Sequence, residues 1–451
     1  MREPVILKAM RDYAASNSAR FHMPGHKGSV EFEKLFPMAY GDITELSFSG
    51  CLFSDEGIIA TAQQNVAEIL GAKVSHFVTD GSTAAILAML YALSKRGKKV
   101  IIPRFSHKSV YNAIKLFGLE PIFLPLEERD GIIYQRTNGL DKMLASDSDI
   151  VGVMLISPDY YGMAPDLETA SAACKKNGSV LLVDGAHGGH LKFADGGLYA
   201  GNYADAWVDG VHKTLPCLTQ AAILNVASED LFADIEDGLG IFRTTSPSYP
   251  IMASIEYGVY YGEHLGQSGF SNFFDRVEKF KQSIQAVGGV FARTDDGAKI
   301  VFDCELSGVD CDQLNCHLEN CGIYPELSDG RYIVFMASPM NAEDDFERMT
   351  IAVKGFLLKN KKDAQNTRKT NITDIKTYRK TDYVTAATAP WTLVDEMGAV
   401  GRVAAENIGF FPPCYPVVTA GEVITRQAAE AISRAKNSFG LINGLFKVVK
   451  E

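Results

Sequence analysis

The chain contains no run of apolar residues that approaches the roughly 18 needed to span a membrane, and its first residues, Met1 to Pro4, begin no hydrophobic signal segment. Positive charge is in deficit, since 44 Lys and Arg face 55 Asp and Glu, giving a formal net charge of -11. Such a balance argues against nonspecific nucleic-acid binding. We therefore expect a cytoplasmic protein with neither a nucleic-acid partner nor a membrane partner.

Cysteine is also sparse, with eight residues scattered along 451 positions. A chain of this length buries a large core without disulfides. Cys311, Cys316 and Cys321 recur at intervals of five beside His317. On a helix, steps of five turn successive side chains by about 140°, so these thiols do not converge on one point. We therefore expect no metal site and predict buried, inert thiols.

The length predicts two or three domains. Helix-like and strand-like segments alternate between about 55 and 265, which predicts an α/β unit with a mostly parallel sheet covered on both faces. Ligands then belong at the carboxyl ends of the strands. The full division is an extended N-terminal arm at 1–54, the large domain at 55–265, a smaller α+β domain at 266–358, a polar linker at 359–380 and a C-terminal domain at 381–451.

Among the residues of the sequence, Asp184 and Lys213 restrict the possible type of reaction most strongly. Asp184 ends the apolar run Leu-Leu-Val, and Lys213 follows between His212 and Thr214. A Lys amine can form a Schiff base with pyridoxal phosphate, and a buried Asp can keep the pyridine nitrogen protonated. The alternatives are a helix-capping Asp and a surface Lys in a loop. Together the two residues predict bond cleavage at Cα of an amino acid.

The segment Asp80-Gly81-Ser82-Thr83 follows a predicted strand at 75–79 and opens a helix. Its two hydroxyls and the free N–H groups of a helix N-terminus suit a phosphate. An ordinary N-cap is the alternative, because Gly-Ser-Thr before a helix is common. The presence of Asp184 and Lys213 favours the phosphate interpretation.

Further candidates follow other predicted strands. His107, after the strand at 99–102, can lie flat on the pyridine ring or serve as a loop cap. Ala186 is small enough for the ring to lie against it. His187 can contact the ring hydroxyl or simply pack, and His212 can reach the phosphate. Tyr160, after the apolar run at 150–156, can contact the ring hydroxyl or the substrate, with packing in a turn as the alternative.

These motifs resemble the Orn/Lys/Arg decarboxylase family of fold-type-I pyridoxal-phosphate enzymes, in the compact form without an N-terminal wing domain. The resemblance runs nearly end to end, through Phe-His-Met-Pro-Gly-His-Lys at 21–27, Asp-Ile-Thr-Glu-Leu at 42–46, Gly-Ser-Thr at 81–83, Ser-His-Lys-Ser at 106–109, Asp-Gly-Ala-His-Gly at 184–188, His-Lys-Thr-Leu-Pro at 212–216 and Gly-Arg-Val-Ala-Ala-Glu at 401–406. It implies decarboxylation of arginine, lysine or ornithine to the amine and CO₂.

The resemblance also implies roles for single residues. Lys213 forms the Schiff base, Asp184 pairs with the pyridine nitrogen, His107 stacks on the ring and Ala186 backs its other face. The remaining residues implied to bind the cofactor are Gly81, Ser82, Thr83, His187 and His212. In the family two subunits complete each active site, which implies a homodimer or higher homo-oligomer with the arm at 21–46 reaching into a neighbouring crevice.

The chain departs from the family pattern at several positions. Gly210 stands where Ser is usual, with Asp209 before it, Asp159 replaces a Thr, and Cys414 alters a C-terminal motif. These changes leave the substrate open. They also leave two other hypotheses. The first is another fold-type-I reaction, chiefly transamination, for which Arg331 is a candidate to hold the substrate carboxylate, with a solvated arginine at a strand end as the alternative. The second is a degenerate, non-catalytic paralogue.

Overall fold

The computed structural model describes residues 1–16, 18–39, 41–194, 196–360, 375–411, 415–435 and 437–450. Cys414 and most of the predicted linker at 359–380 lie outside these residues. The strands in the described ranges are β1 (Val74–Val78), β2 (Lys99–Ile102), β3 (Glu120–Phe123), β4 (Leu126–Arg129), β5 (Ile132–Gln135), β6 (Ile150–Ile156), β7 (Val180–Gly185), β8 (Ala206–Asp209), β9 (Ala222–Val226), β10 (Lys299–Asp303), β11 (Leu327–Ser328), β12 (Tyr332–Met336), β13 (Trp391–Val394), β14 (Ile408–Phe410), β15 (Tyr415–Val418), β16 (Ser438–Phe439), β17 (Leu441–Ile442) and β18 (Leu445–Val449).

Helices alternate with these strands through the first two thirds of the chain. They are α1 (Val5–Ala15), α2 (Val30–Leu35), α3 (Ile58–Leu70), α4 (Gly81–Ser94), α5 (Lys108–Phe117), α6 (Leu140–Ser146), α7 (Leu167–Asn177), α8 (Leu191–Ala194), α9 (Phe232–Phe242), α10 (Tyr249–Gln285), α11 (Cys311–Asn320), α12 (Glu343–Asn360), α13 (Tyr383–Thr388), α14 (Glu396–Ala399) and α15 (Arg426–Arg434). Short 3₁₀ turns add Gly196–Leu198, Ala200–Asn202, Val211–Lys213 and Glu229–Leu231.

A seven-stranded sheet in the order β1-β9-β8-β7-β6-β2-β3 forms the centre of the molecule. The neighbours from β8 to β3 pair in parallel, and β9 alone runs antiparallel to both of its partners. The predicted α/β class with a mostly parallel sheet is therefore confirmed. Because β1 runs in the same direction as β8, the carboxyl ends of β1, β2, β6, β7 and β8 meet at one edge.

Sequence explains why this sheet is central. The apolar runs of β6 and β7 are buried almost throughout, as expected of strands covered on both faces. Helix α4 is apolar on nearly every side and is correspondingly buried, packed between the sheet, α5 and α9. At Gly152 in β6, an added Cβ would lie 2.7 Å from Leu93 Cδ1 of α4, so the glycine permits this close approach.

The predicted extended character of the N-terminal arm is wrong over Val5–Ala15 and Val30–Leu35, which are helical. The N-terminus of α1 is fixed by Glu256 of α10, whose carboxylate accepts hydrogen bonds from the N–H groups of Val5 and Ile6 at 2.8 and 3.0 Å. A buried carboxylate at a helix N-terminus stabilises the unpaired N–H groups there. This tertiary contact stabilises the helix at the start of the chain.

Helix α10 is broken at Gly266, where φ is 59°, and this break lies at the boundary that we propose between the large and small domains. Beyond it, α11 and α12 pack on one another beside the antiparallel sheet β10-β12-β11. The C-terminal segment forms the sheets β13-β18-β17 and β15-β14-β16. Arg104, after β2, donates to both carboxylate oxygens of the buried Glu422 at 2.9 and 2.6 Å, which joins this segment to the central sheet.

Two smaller findings concern membranes and thiols. None of the helices in the described ranges is long and apolar enough to cross a membrane. Cys311 is buried, but Cys316 and Cys321 are exposed, so the prediction that all three thiols are buried is wrong for two of them. Cys316 lies in α11 and Cys321 caps its C-terminal end. The described residues hold no cluster of three or more His, Cys, Asp or Glu side chains suited to a metal.

Candidate active site

Asp184 and Lys213 come together because they follow neighbouring parallel strands. Asp184 lies in β7 opposite Val208 of β8, and Lys213 closes the 3₁₀ turn that follows β8. Asp184 is only 4% exposed, and its Oδ1 accepts a hydrogen bond from the N–H of Ala186 at 3.1 Å. A carboxylate buried at this depth needs a cationic or hydrogen-bonding partner on its open side.

Lys213 is an exposed residue at the carboxyl edge of the central sheet, where a ligand crevice is expected, and its amine lies against the buried His187. Its Nζ is 3.1 Å from Nε2 of His187. Burial lowers the pKa of Lys213, while Asp184 and Glu326 act in the opposite direction. A lysine whose pKa is lowered has more of the neutral amine that can act as a nucleophile.

His107 caps the N-terminus of α5 and is an exposed residue. Its Nδ1 lies 2.7 Å from Oγ of Ser109 and accepts from the N–H of the same residue at 3.3 Å. Burial lowers the pKa of His107, although Asp184 opposes this. The structure shows the capping role, and stacking on a pyridine ring stays a prediction.

The N-terminus of α4 has the features of an anion site. Its N-cap residue, Asp80, makes no capping hydrogen bond to the helix within the described chain, and its carboxylate accepts instead from Thr244 N–H at 3.3 Å. Oγ of Ser82 is buried and has no hydrogen-bond partner among the described residues. Gly81 adopts φ of +74° with open space above it. A phosphate would satisfy both the free N–H groups and the orphan hydroxyl.

Gly210 packs tightly between this anion site and the end of β7. An added Cβ would lie 2.5 Å from the carbonyl oxygen of Ala186 and 3.0 Å from Ser82 Oγ. The backbone itself therefore occupies the place where a side chain would stand. This explains in physical terms why the chain carries glycine at a position where the family pattern has serine.

We expect the substitution Gly210→Ala to lower the free energy of unfolding by about 1–3 kcal/mol, because the new methyl group meets a backbone oxygen that cannot move freely. Gly240→Ala is the matched control, since Gly240 is an exposed residue of α9 with open space at its Cβ position. That change should be neutral or stabilising by up to about 1 kcal/mol. Denaturant midpoints measure both, and a neutral Gly210→Ala variant would refute this packing.

Asp209, which precedes Gly210, does not point at the anion site. Its Oδ2 accepts hydrogen bonds from Tyr199, Trp207 and Asn225 at 2.9, 3.0 and 2.8 Å. Burial raises the pKa of Asp209 to about 7, which these hydrogen bonds oppose. The carboxylate is thus turned away from the place proposed for a phosphate.

His212 stands beside Lys213 with one ring nitrogen already committed. Its Nδ1–H donates to the carbonyl oxygen of Ala221 at 2.8 Å, which leaves Nε2 for the crevice. Burial lowers the pKa of His212. With Nδ1 occupied, the ring can donate to a phosphate from Nε2 only when it is protonated.

The structure also brings to the crevice two residues that the sequence did not indicate. Lys299, at the start of β10, places Nζ 3.0 Å from Nδ1 of His187, and the carboxylate of Glu326 accepts a hydrogen bond from Tyr160. The ring of Tyr160 lies edge-on to His187, with centroids 5.0 Å apart. A Lys that opens an apolar strand looks like a solvated strand end, so the sequence offered no usable signal for it.

Comparison with known proteins agrees with this geometry. The family model described as "Orn/Lys/Arg decarboxylase, major domain" matches residues 4–304. An uncharacterized protein, YaaO, of Bacillus subtilis is 28% identical over 98% of this chain and 96% of its own length, and an arginine decarboxylase of Bacillus anthracis is 28% identical over 96% and 93%. The fold is that of the lysine decarboxylase LdcF of Francisella novicida, with a TM-score of 0.82 at 16% identity over 99% of this chain and 81% of that one.

The family match covers the arm, the whole central sheet and both strand ends that carry Asp184 and Lys213. The similarity to complete relatives extends beyond it to the C-terminal segment. The chain belongs to the Orn/Lys/Arg decarboxylase family, a family of amino-acid decarboxylases.

Proposed function

We propose that this chain catalyses the pyridoxal-phosphate-dependent decarboxylation of a basic amino acid, arginine, lysine or ornithine, to its amine and CO₂. The observation that carries the proposal is the convergence of a lysine amine, a buried carboxylate and an uncapped helix N-terminus at one edge of the sheet. The amine of Lys213 and the carboxylate of Asp184 follow adjacent strands. The anion site at Ser82 lies within 3.0 Å of the space above Gly210, which precedes the lysine turn.

The aldehyde, the pyridine nitrogen and the two ring faces of the cofactor each have a candidate partner among the described residues. When bound, pyridoxal phosphate supplies a sink for the electrons left at Cα as CO₂ departs. Lys213 provides the amine that holds the cofactor aldehyde and is displaced by the substrate amine. Asp184 would hold a proton on the pyridine nitrogen, for which its buried carboxyl group is suited. His107 would lie against one face of the ring and Ala186 against the other.

The substrate side of the crevice carries negative charge. Glu326 is exposed there, is held by Tyr160 and lies close enough to Lys213 to raise the pKa of its amine. A carboxylate in this place suits the cationic side chain of a basic amino acid. We propose Glu326 as a contact for that end of the substrate.

Retention of the cofactor on the chain gives the proposal its first test. Purified protein incubated with pyridoxal phosphate should develop visible absorbance, and borohydride reduction should leave the pyridoxyl group on the peptide that contains Lys213. Peptide mass spectrometry identifies the site. Attachment at a different lysine, or none, would refute the proposed cofactor chemistry.

We expect Ser82→Ala to weaken pyridoxal phosphate binding roughly ten- to a hundredfold, because the phosphate loses a hydrogen bond from a buried hydroxyl. The cofactor-free variant should unfold at the wild-type temperature, since that hydroxyl has no partner to lose among the described residues. Ser94→Ala is the control, as Ser94 lies in the same helix and donates to the carbonyl oxygen of Tyr91. Absorbance titration gives the dissociation constant of pyridoxal phosphate for each variant. An unchanged constant for Ser82→Ala would show that Ser82 does not bind the phosphate.

An aminotransferase function is less well supported, because the guanidinium group of Arg331 is already bound by other groups of the chain. Its guanidinium pairs with Asp303 at 2.9 Å and with Glu305 at 3.5 Å, and its Nη2 also donates to the carbonyl oxygen of Asp130 at 3.4 Å. An arginine held in this way is not available to hold a substrate carboxylate. The alternative of a non-catalytic paralogue is disfavoured by the joint placement of Asp184, His107 and Lys213.

We propose that the active chain is a homodimer or a higher homo-oligomer in which the arm at 21–46 completes a neighbouring site. Supporting this, several large apolar side chains of the arm are exposed in the single chain, including Phe21, Val30 and Leu35 at 96, 69 and 74%. Apolar surface of this kind favours burial against another subunit. Sedimentation of the wild-type protein measures its oligomeric state, and a stable monomer with full activity would contradict the proposal.

A further inference from the structure

The short strand β11 lies between two carboxylates that two adjacent tyrosines reach. Glu326 directly precedes the strand, and Asp329 directly follows it. The hydroxyl of Tyr160, in the loop after β6, donates to the carboxylate of Glu326. The hydroxyl of the next residue, Tyr161, donates to Oδ2 of Asp329 at 2.6 Å. The loop after β6 therefore holds β11 at both of its ends.

Backbone pairing alone fixes β11 weakly. The strand lies at the edge of the sheet β10-β12-β11 and pairs with β12 through Leu327 with Val334 and Ser328 with Ile333. One further backbone hydrogen bond, from the N–H of Glu326 to the carbonyl oxygen of Val334 at 2.9 Å, precedes these pairs. A segment with so few backbone hydrogen bonds opens at a low free energy. The side-chain contacts at its ends therefore contribute strongly to its position.

Both carboxylate oxygens of Asp329 are used within the chain. Oδ1 accepts hydrogen bonds from the N–H groups of Arg331 and Tyr332 at 2.8 and 2.7 Å, which closes the turn between β11 and β12. Oδ2 accepts from Tyr161, which is buried. Burial raises the pKa of Tyr161 well above its usual value, so its hydroxyl keeps the proton that it donates. Asp329 thus ties the turn to the loop after β6.

Glu326 differs from Asp329 because one of its oxygens is available. Its Oε1 accepts from Tyr160, while Oε2 has no hydrogen-bond partner among the residues that the structure describes. Glu326 is exposed, and its charge acts to raise the pKa of both Lys213 and Lys299. Its carboxylate therefore lies near the amine that we propose to bind the cofactor, with one oxygen available to a cationic group.

We propose that Tyr161 and Asp329 are positioning residues that fix Glu326 in the crevice and so set the preference of the chain for a substrate with a cationic side chain. The inference rests on the proposed function, because it takes Glu326 as the contact for that end of the substrate. Three steps of extended backbone, roughly 10 Å, join the two carboxylates, so a shift of the turn moves Glu326 as well. Tyr161 and Asp329 themselves touch neither the cofactor nor the substrate and act through Glu326.

The test compares a basic amino acid with an uncharged counterpart. The pairs are arginine with citrulline, lysine with norleucine and ornithine with norvaline, and the pair that contains the best wild-type substrate is used. The preference is the kcat/KM for CO₂ release from the basic member divided by that from the uncharged member. Misplacing Glu326 lowers only the first value, because an uncharged side chain forms no ion pair with it. General damage to the site lowers both values and leaves their ratio unchanged.

The variants break or keep the hydrogen bond between the two positioning residues. Tyr161→Phe removes the hydroxyl and keeps the buried ring. Asp329→Ser can still accept from the N–H groups of the turn but is too short to reach Tyr161. Asp329→Asn is the conservative variant, since its amide oxygen must face those N–H groups and its NH₂ can donate to the tyrosine oxygen. Tyr91→Phe is the control, because it removes a tyrosine hydroxyl that donates to Asp237 between α4 and α9.

We expect Tyr161→Phe and Asp329→Ser each to lower the preference roughly tenfold, as for the weakening of one charge-assisted hydrogen bond. Asp329→Asn and Tyr91→Phe should stay within about twofold of wild type. In a chain that already carries Glu326→Gln, Tyr161→Phe should cause no further loss, because the charge that it positions is gone. An unchanged preference in Tyr161→Phe, or an equal loss with and without Glu326, would overturn the proposal. If Tyr161→Phe does not fold, Asp329→Ser decides by the same criteria.

Hydrogen exchange in the cofactor-free chain gives a second readout that needs no activity. The N–H of Glu326 donates to Val334, so its exchange reports how firmly β11 is held. We expect a peptide covering 326–329 to exchange about fivefold faster in Tyr161→Phe and Asp329→Ser, and at the wild-type rate in Asp329→Asn. Wild-type exchange in the first two variants would contradict the positioning role.

These outcomes separate the inference from the proposed function. A wild-type chain that releases CO₂ from a basic amino acid, with a preference that neither Tyr161→Phe nor Asp329→Ser changes, would overturn the inference and leave the function standing. A wild-type chain that releases no CO₂ from arginine, lysine or ornithine would overturn both.

Discussion

Replacing Lys213 with alanine is expected to reduce CO₂ release from the basic amino-acid substrate by at least about a thousandfold and to abolish covalent attachment of pyridoxal phosphate. In the proposed mechanism the amine of Lys213 bonds the cofactor and is displaced by the substrate amine, and the structure places this amine 3.1 Å from Nε2 of His187. CO₂ release under saturating cofactor measures the loss.

Lys115→Ala is the matched control for this experiment. Lys115 lies in α5, close in sequence to the His107 cap but exposed to solvent. It should retain wild-type activity and cofactor attachment. A Lys213→Ala variant that still releases CO₂ at a rate close to wild type would contradict the assignment, whatever its absorbance.

The second large effect is expected for Asp184→Asn. The amide keeps the shape of the side chain and can still accept from the N–H of Ala186, so the local fold should persist. Under the proposed mechanism the substitution removes the carboxylate that would hold the proton on the pyridine nitrogen, and we expect kcat to fall on the order of 10²–10³-fold. Cofactor attachment at Lys213 should be retained, which separates this change from a loss of binding.

Asp205→Asn tests whether that loss is specific to the site. Asp205 accepts from the N–H of Leu181 at 2.8 Å, at the opposite edge of the same sheet. Both changes remove one carboxylate charge from the sheet, but only Asp184 faces the crevice. Equal losses of kcat in the two variants would show a structural rather than an electronic cause.

Much of the fold could be predicted because its strands are continuous apolar runs with clear ends. Strands β6 and β2 have the predicted bounds. Strand β7 ends at residue 185, two residues beyond its predicted end at 183. Placement of Asp184 and Lys213 at one edge then follows from parallel topology alone. Helix α1 was not predicted because it is stabilised by Glu256, which is 250 residues away along the chain. The sequence around α1 does not indicate such a distant partner.

The candidate site was harder to predict where it depends on other parts of the chain. Lys299 reaches His187 across 112 positions, and Glu326 comes from the same smaller unit. Nothing in the local sequence around either residue distinguishes it from a solvated charge at the end of a strand. Gly210 stood out in the sequence only as a departure from the family pattern, whereas its backbone lies so close to Ala186 that a side chain has no room.

The most direct test of the account is to measure CO₂ and amine together when the wild-type chain, loaded with pyridoxal phosphate, is given arginine, lysine or ornithine. We expect one of the three to yield CO₂ and its amine in equal amounts, with no product when the cofactor is omitted. A loaded chain that forms neither product from any of them, and instead transfers the amino group to an oxoacid, would contradict the decarboxylase account.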